Sequence, residues 1–296
     1  MKQDSYNESL KCYLIITFIL TFGTGIFIYI LGGSDGLNEY PVLSNLIMFF
    51  PAIVAIIVTV VVEKNIKLSS LLKVLGLRLG KIKYLIIYPI ITFIMIIFIH
   101  LVTYFITPNA YITTSELPEV LSNLSVEFDS LSVPMQVISI FLLNCFIGAI
   151  LNIPLILGEE IGWRSFLYPR LENSYSKVGL IIGGVIWGVW HAPMILMGLN
   201  YPSTPILGIF IMILFCIPVG IILYYFYRQS GSIITVALCH GMLNKTASTV
   251  DMIFVDYKTM QPVIHGPTGI IGIIIIALIS FIIYKKYITR EPIITK

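Results

Sequence analysis

Charge is what this chain has least of. Only 11% of its 296 residues are Asp, Glu, Lys or Arg, while 57% are hydrophobic; a soluble domain carries about 25% charge. One globule cannot hide that much apolar surface, so the bilayer must be its solvent. Cysteine is scarce too. Cys12, Cys145, Cys216 and Cys239 fall in or beside apolar runs with no CxxC spacing, which reads as buried thiols acting as small hydrophobes. The formal net charge of +3 is small, and the basic residues lie in short loops rather than on one face, so no nucleic-acid partner is expected. There is no internal repeat and no soluble domain. The final Pro-Ile-Ile-Thr-Lys carries no prenylation box of its own.

What is present in quantity is apolar run. The run from about Leu14 to Leu31 is too long for a signal-peptide core and lacks a small-residue cleavage site, so it is expected to stay as an anchor. A spanning helix needs about 20 mostly apolar residues. The candidates are 12–32, 41–62, 84–107, 134–158, 178–199, 205–227, 231–255 and 268–284, the seventh being the most polar and the eighth rather short. Pro41 and Pro134 suit a first helical turn, and Pro218 predicts a kink in the sixth span. The expected fold is all-α: one integral-membrane domain over 1–296, a bundle of about eight transmembrane helices. The loop 108–133 has room for a short helix near Glu116–Asn123.

Orientation follows from the basic loops. Of the 18 Lys and Arg residues, all but Lys245 and Lys258 fall on one side: before the first span, between the second and third, after the fourth and sixth, and after the last. The opposite loops hold Asp35, Glu39, Glu116, Glu119, Glu127 and Asp129, with no Lys or Arg between 108 and 133. Both termini are therefore expected in the cytoplasm.

Three polar islands interrupt the apolar spans. The first is Leu157-Gly158-Glu159-Glu160-Ile161-Gly162-Trp163-Arg164. On a helix Glu160 and Arg164 share a face, while Glu159 is turned about 100° away and has no local partner. Alone, such a pair reads more readily as a solvated helix end. The second is Trp187-Gly188-Val189-Trp190-His191-Ala192-Pro193, with Gly183, Gly184 and Gly188 permitting close helix approach. The third is His240-Gly241-Met242-Leu243-Asn244, whose His and Asn project from one face; taken alone these read as interhelical hydrogen bonding. Together they are the main polar exceptions in the chain, and ionisable residues within spans usually face the bundle interior or a water-filled cavity. A cavity open to the cytoplasmic half of the bilayer is expected. His100 and His265 have no such company and read as a core or membrane-edge residue and a loop residue.

Glu-Glu-x-x-x-Arg, then aromatic-x-x-x-His, then His-x-x-x-Asn, each on its own span, resembles the CPBP family, the CAAX prenyl endopeptidase and bacteriocin-processing intramembrane proteases, also called Abi. Each motif alone is weak; the set in this order covers residues 134–255. The resemblance implies that Glu159 and His191 position and deprotonate a water, that His240 and Asn244 stabilise the oxyanion, and that Glu160 and Arg164 support them. The family usually has Phe where this chain has Trp187, a change expected to alter the pocket wall more than the chemistry. The first half of the chain matches no motif.

The residues suit that chemistry. Peptide hydrolysis needs a base near water, an oxyanion stabiliser and a proton donor for the leaving amine. No Ser or Cys is placed to form an acyl-enzyme. No cofactor is committed; zinc held by Glu159, His191 and His240 is the alternative, although these residues do not form a compact HExxH unit. The expected partners are membrane lipid and a peptide or lipidated protein substrate, and the oligomeric state is left open. The Ile- and Lys-rich composition suggests a bacterial cell membrane. A non-catalytic role, as a bacteriocin immunity protein or a regulator of another membrane complex, is the competing reading. A transporter is disfavoured by the lack of paired broken helices and repeats.

Overall fold

The computed structural model describes residues 2–64, 67, 71, 72, 74–124 and 131–286. Lys73, Glu127, Asp129, Arg290 and Lys296, used above for orientation, lie outside the described residues. The protein is a polytopic helical membrane bundle, and its only strand-like pairing among the described residues is an isolated bridge between Tyr111 and Val255.

The helices are α1 (Lys2–Gly32), α2 (Pro41–Ile47), α3 (Phe50–Val61), α4 (Ile82–Ile106), α5 (Leu117–Asn123), α6 (Val133–Leu151), α7 (Ile153–Glu160), α8 (Tyr168–Tyr175), α9 (Val178–Trp190), α10 (Ala192–Leu196), α11 (Pro205–Ser230), α12 (Ile233–Phe254) and α13 (Ile270–Lys286). Prolines open several of them, at Pro41, Pro134 and Pro205, where a missing N–H costs nothing. Among the described residues five helices are long and apolar enough to cross a membrane, or six if α2 and α3, bent by 44°, count as one. The expected seventh and eighth spans are present as helices. However, α12 carries Lys245 and Asp251, and α13 has only 17 residues, so length and composition do not establish eight crossings. Helix α11 runs unbroken through Pro218 and stops at Gly231, whose φ of 70° returns its N–H to the Tyr227 carbonyl. The Ser232 hydroxyl then caps α12 by accepting from the Thr235 N–H.

The fourth expected span departs most from its prediction. It is not one rod over 134–158: α6 ends at Asn152, beside Pro154, which cannot donate to the ladder. The chain resumes as α7, passes through a π-helical turn at Ile161–Leu167, and continues as α8. Glu159 and Glu160 end α7 immediately before that turn. Such π turns are frequent at functional sites because they redirect side chains that a regular helix would turn elsewhere.

Contacts distinguish the two ends of the bundle. At the basic end Arg170 pairs with Glu63 at 2.6 Å and Arg228 with Glu172 at 2.7 Å, while Lys177 lies over the Tyr284 ring. At the acidic end the Ser44 hydroxyl reaches the Leu37 carbonyl, the Tyr201 hydroxyl the Thr268 carbonyl, and the Asp256 N–H the Ala110 carbonyl. Helix α5 lies at this end, where Leu121 packs on Ile140 and Ile253.

Candidate active site

Two breaks in regular helix and one unbroken helix build the site. The π turn positions the two glutamates. A second break comes at His191, between α9 and α10, where Pro193 cannot continue the ladder. The third element is α12, whose polar face looks across at both. Glu159, Trp187, His191, His240 and Asn244 all line one cavity of about 540 Å³. The three islands, far apart in sequence, therefore meet around one space.

The two glutamates divide their work. Glu160 is fully buried; one oxygen accepts from Arg164 Nη1 at 2.9 Å and from His240 Nδ1 at 2.7 Å. The pairing with Arg164 is the one the four-residue spacing predicts; the bond to His240 is not visible in the sequence. Because a carboxylate only accepts, Nδ1 of His240 carries a proton and Nε2 is the free ring nitrogen. Glu159 does not pair with Arg164. It accepts from the indole Nε1 of Trp187 at 3.1 Å and lines the cavity.

Trp187 holds this arrangement together. Its ring lies 3.8 Å from the guanidinium carbon of Arg164, and it meets His240 edge-on at 5.6 Å between centroids. Arg164 is completely buried, and its Nε and Nη2 have no hydrogen-bond partner among the described residues, so the indole face takes up part of the charge. The backbone carbonyl of Trp187 accepts from His191 Nδ1 at 2.8 Å, which fixes the tautomer and leaves Nε2 with its lone pair. Where the family usually has Phe, which offers no N–H, Trp187 donates a hydrogen bond to Glu159. Asn244 is exposed on the cavity surface one turn beyond His240. His100 and His265 stand apart: the first contacts the Tyr111 hydroxyl, and the second accepts from the Gln261 N–H in its loop.

The lining of the cavity includes Leu37, Asn38, Ser44, Asn200 and Thr268 from the acidic end. Below Glu159 the bundle is filled by Tyr13, Trp163, Phe166, Leu167 and Tyr168, each fully buried. For Glu159 to reach His191 the fourth helix is expected to continue to about Pro169, and the chain does continue past Glu159 through the π turn into α8.

Among the described residues no three His, Cys, Asp or Glu side chains are grouped so that they could hold a metal ion, so Glu159, His191 and His240 do not form a zinc site.

The helical membrane bundle thus encloses one cavity lined by the Glu159 carboxylate, two oriented imidazoles and the Asn244 carboxamide. Residues 134–246 match the model of the family described as type II CAAX prenyl endopeptidase, Rce1-like. That match covers less than half of the chain. The chain is also 27% identical over 132 residues to CAAX prenyl protease 2 of Methanococcus maripaludis, a stretch covering 42% of this chain and 45% of that protein.

Proposed function

We propose that this protein is an intramembrane endopeptidase that hydrolyses a peptide bond of a membrane-associated peptide with an activated water. The observation that carries the reading is the sharing of one cavity by Glu159, His191, His240 and Asn244, with Glu160 and Arg164 behind them. In this scheme Glu159 takes the proton of a water that is also held by Nε2 of His191. The hydroxide adds to the scissile carbonyl, and the oxyanion is met by Nε2 of protonated His240 and by the Asn244 amide. Glu159 then returns its proton to the leaving amine. The bond from Glu160 keeps the His240 ring facing the cavity, as a second-row carboxylate does for other catalytic imidazoles.

The relative's name points to lipidated protein tails, and the apolar lining residues Met48, Met194, Met212 and Phe215 suit an apolar group. The lining residues at the acidic end and the charge asymmetry support access from the side away from the basic loops, with the peptide presented at the outer face.

Glu159→Gln and His240→Ala, made separately, test the reading. Normal membrane abundance with cleavage of membrane peptides reduced at least a hundredfold, followed by mass spectrometry, is expected. Cleavage that survives both changes would remove the hydrolase assignment and favour a non-catalytic partner.

A further inference from the structure

The scheme above makes no use of Asp251. This residue lies on α12 eleven positions past His240, which returns it to within about 20° of the same face and advances it about 16 Å. His240, Asn244, Ser248 and Asp251 thus form one stripe, and all four line the cavity. Asp251 Oδ1 is shut off from solvent and has no hydrogen-bond partner among the described residues. No ion pair there reaches it, and the cavity is lined by two acids, Glu159 and Asp251, with no Lys or Arg.

A structural role would leave this carboxylate badly placed. Asp251 sits in the last turn of α12, where the helix carbonyls disfavour an anion, and its own N-terminal donors are out of reach. An unsatisfied carboxylate beside apolar surface is costly unless something arrives to pair with it. Its position near the mouth, on the wall that also carries His240 and Asn244, says what that would be.

We propose that Asp251 is a specificity subsite that receives a Lys or Arg side chain of the substrate peptide. The inference rests on the peptide-hydrolase reading for the path of the chain. An extended peptide advances about 3.3 Å per residue. Allowing for the reach of a basic side chain, the about 16 Å to His240 puts the cation three to five residues from the bond that is cut, on the part of the peptide leaving toward the mouth.

Binding, rather than turnover, tests it. The full-length protein carrying Glu159→Gln is titrated in detergent with labelled apolar decapeptides bearing one Lys at successive positions, and with the same peptides bearing Gln. The expected result is a window of positions in which the Lys peptide binds about tenfold tighter at low salt. Adding Asp251→Asn abolishes that ratio and leaves the Gln-peptide affinity unchanged. Ser248→Arg, on an exposed neighbour, does the same by supplying an internal cation, should the Asn variant fold poorly. A folded protein that binds Lys and Gln peptides alike, or a ratio that survives both variants, overturns the subsite. Charge-dependent binding in a wild-type protein that cleaves nothing supports the subsite and counts only against the hydrolase.

Discussion

Trp187 donates to the carboxylate proposed as base, covers a buried guanidinium and lends its carbonyl to a histidine. Trp187→Phe keeps the backbone carbonyl and most of the ring but removes the N–H. A hydrogen bond to a charged group contributes about 1.5–3 kcal/mol. If that bond sets the orientation of Glu159 in the transition state, kcat should fall about ten- to a hundredfold, with little change in KM or abundance. An unchanged kcat in steady-state assays of the purified variant would show that the indole only fills space. At this scale much was legible from the chain. Glu160 and Arg164 are four apart and pair as helix geometry requires, and His240 and Asn244 share a face. The Glu160–His240 bond was not legible, since it joins residues whose helices meet only after folding. Asp251 was within reach, because positions 240, 244, 248 and 251 already make a helical stripe. It was passed over because the pattern was read no further than Asn244.

Among the elements, the α9–α11 seam decides where His191 stands. A Cβ at Gly184 would lie 2.4 Å from Ile217 Cα, and one at Gly188 would lie 2.5 Å from Ile213 Cα, so only glycine allows this approach. Gly188→Ala forces backbone against backbone, and overpacking of this kind costs about 1–3 kcal/mol. The variant should melt several degrees lower in detergent and lose activity out of proportion to its abundance, since α9 carries both Trp187 and His191. A melting curve and rate indistinguishable from wild type would mean that the seam yields freely. Gly184 and Gly188 announce this contact in the sequence, whereas Gly183 packs against the Tyr168 ring. The break at Asn152 and the π turn after Glu160 are less visible: the apolar run continues across both, and hydropathy does not distinguish a spanning rod from a bent one. For that reason the fourth span is expected from the sequence as one rod over 134–158.

For the whole molecule the decisive relation is between the cavity rim and the loop charges. Asn200 lines the cavity at the acidic end, and Lys177 lies at the opposite end beside the Tyr284 ring. Single-cysteine variants Asn200→Cys and Lys177→Cys, in a background with Cys12 replaced, should respond oppositely to a membrane-impermeant maleimide on intact cells. The first is expected to label and the second only after lysis, as read by gel shift. The reverse pattern would place the mouth in the cytoplasm and return the substrate to that side. Neither charge distribution nor span count could have settled this from the sequence, because the rim is assembled from three loops that are distant along the chain.

Helix α1 presses against the break that follows His191: Gly25 lies so near Pro193 that a Cβ there would come within 2.5 Å of it, and Trp190 Nε1 donates to Thr21 at 2.8 Å. The stretch that matches the family begins at residue 134, yet part of the lining of the chamber is supplied from residues 37–48, and residues 21–25 brace the break that follows His191 from behind. The motif-bearing half is accordingly not a portable tool: the amino-terminal helices serve as the housing that keeps the histidine in place.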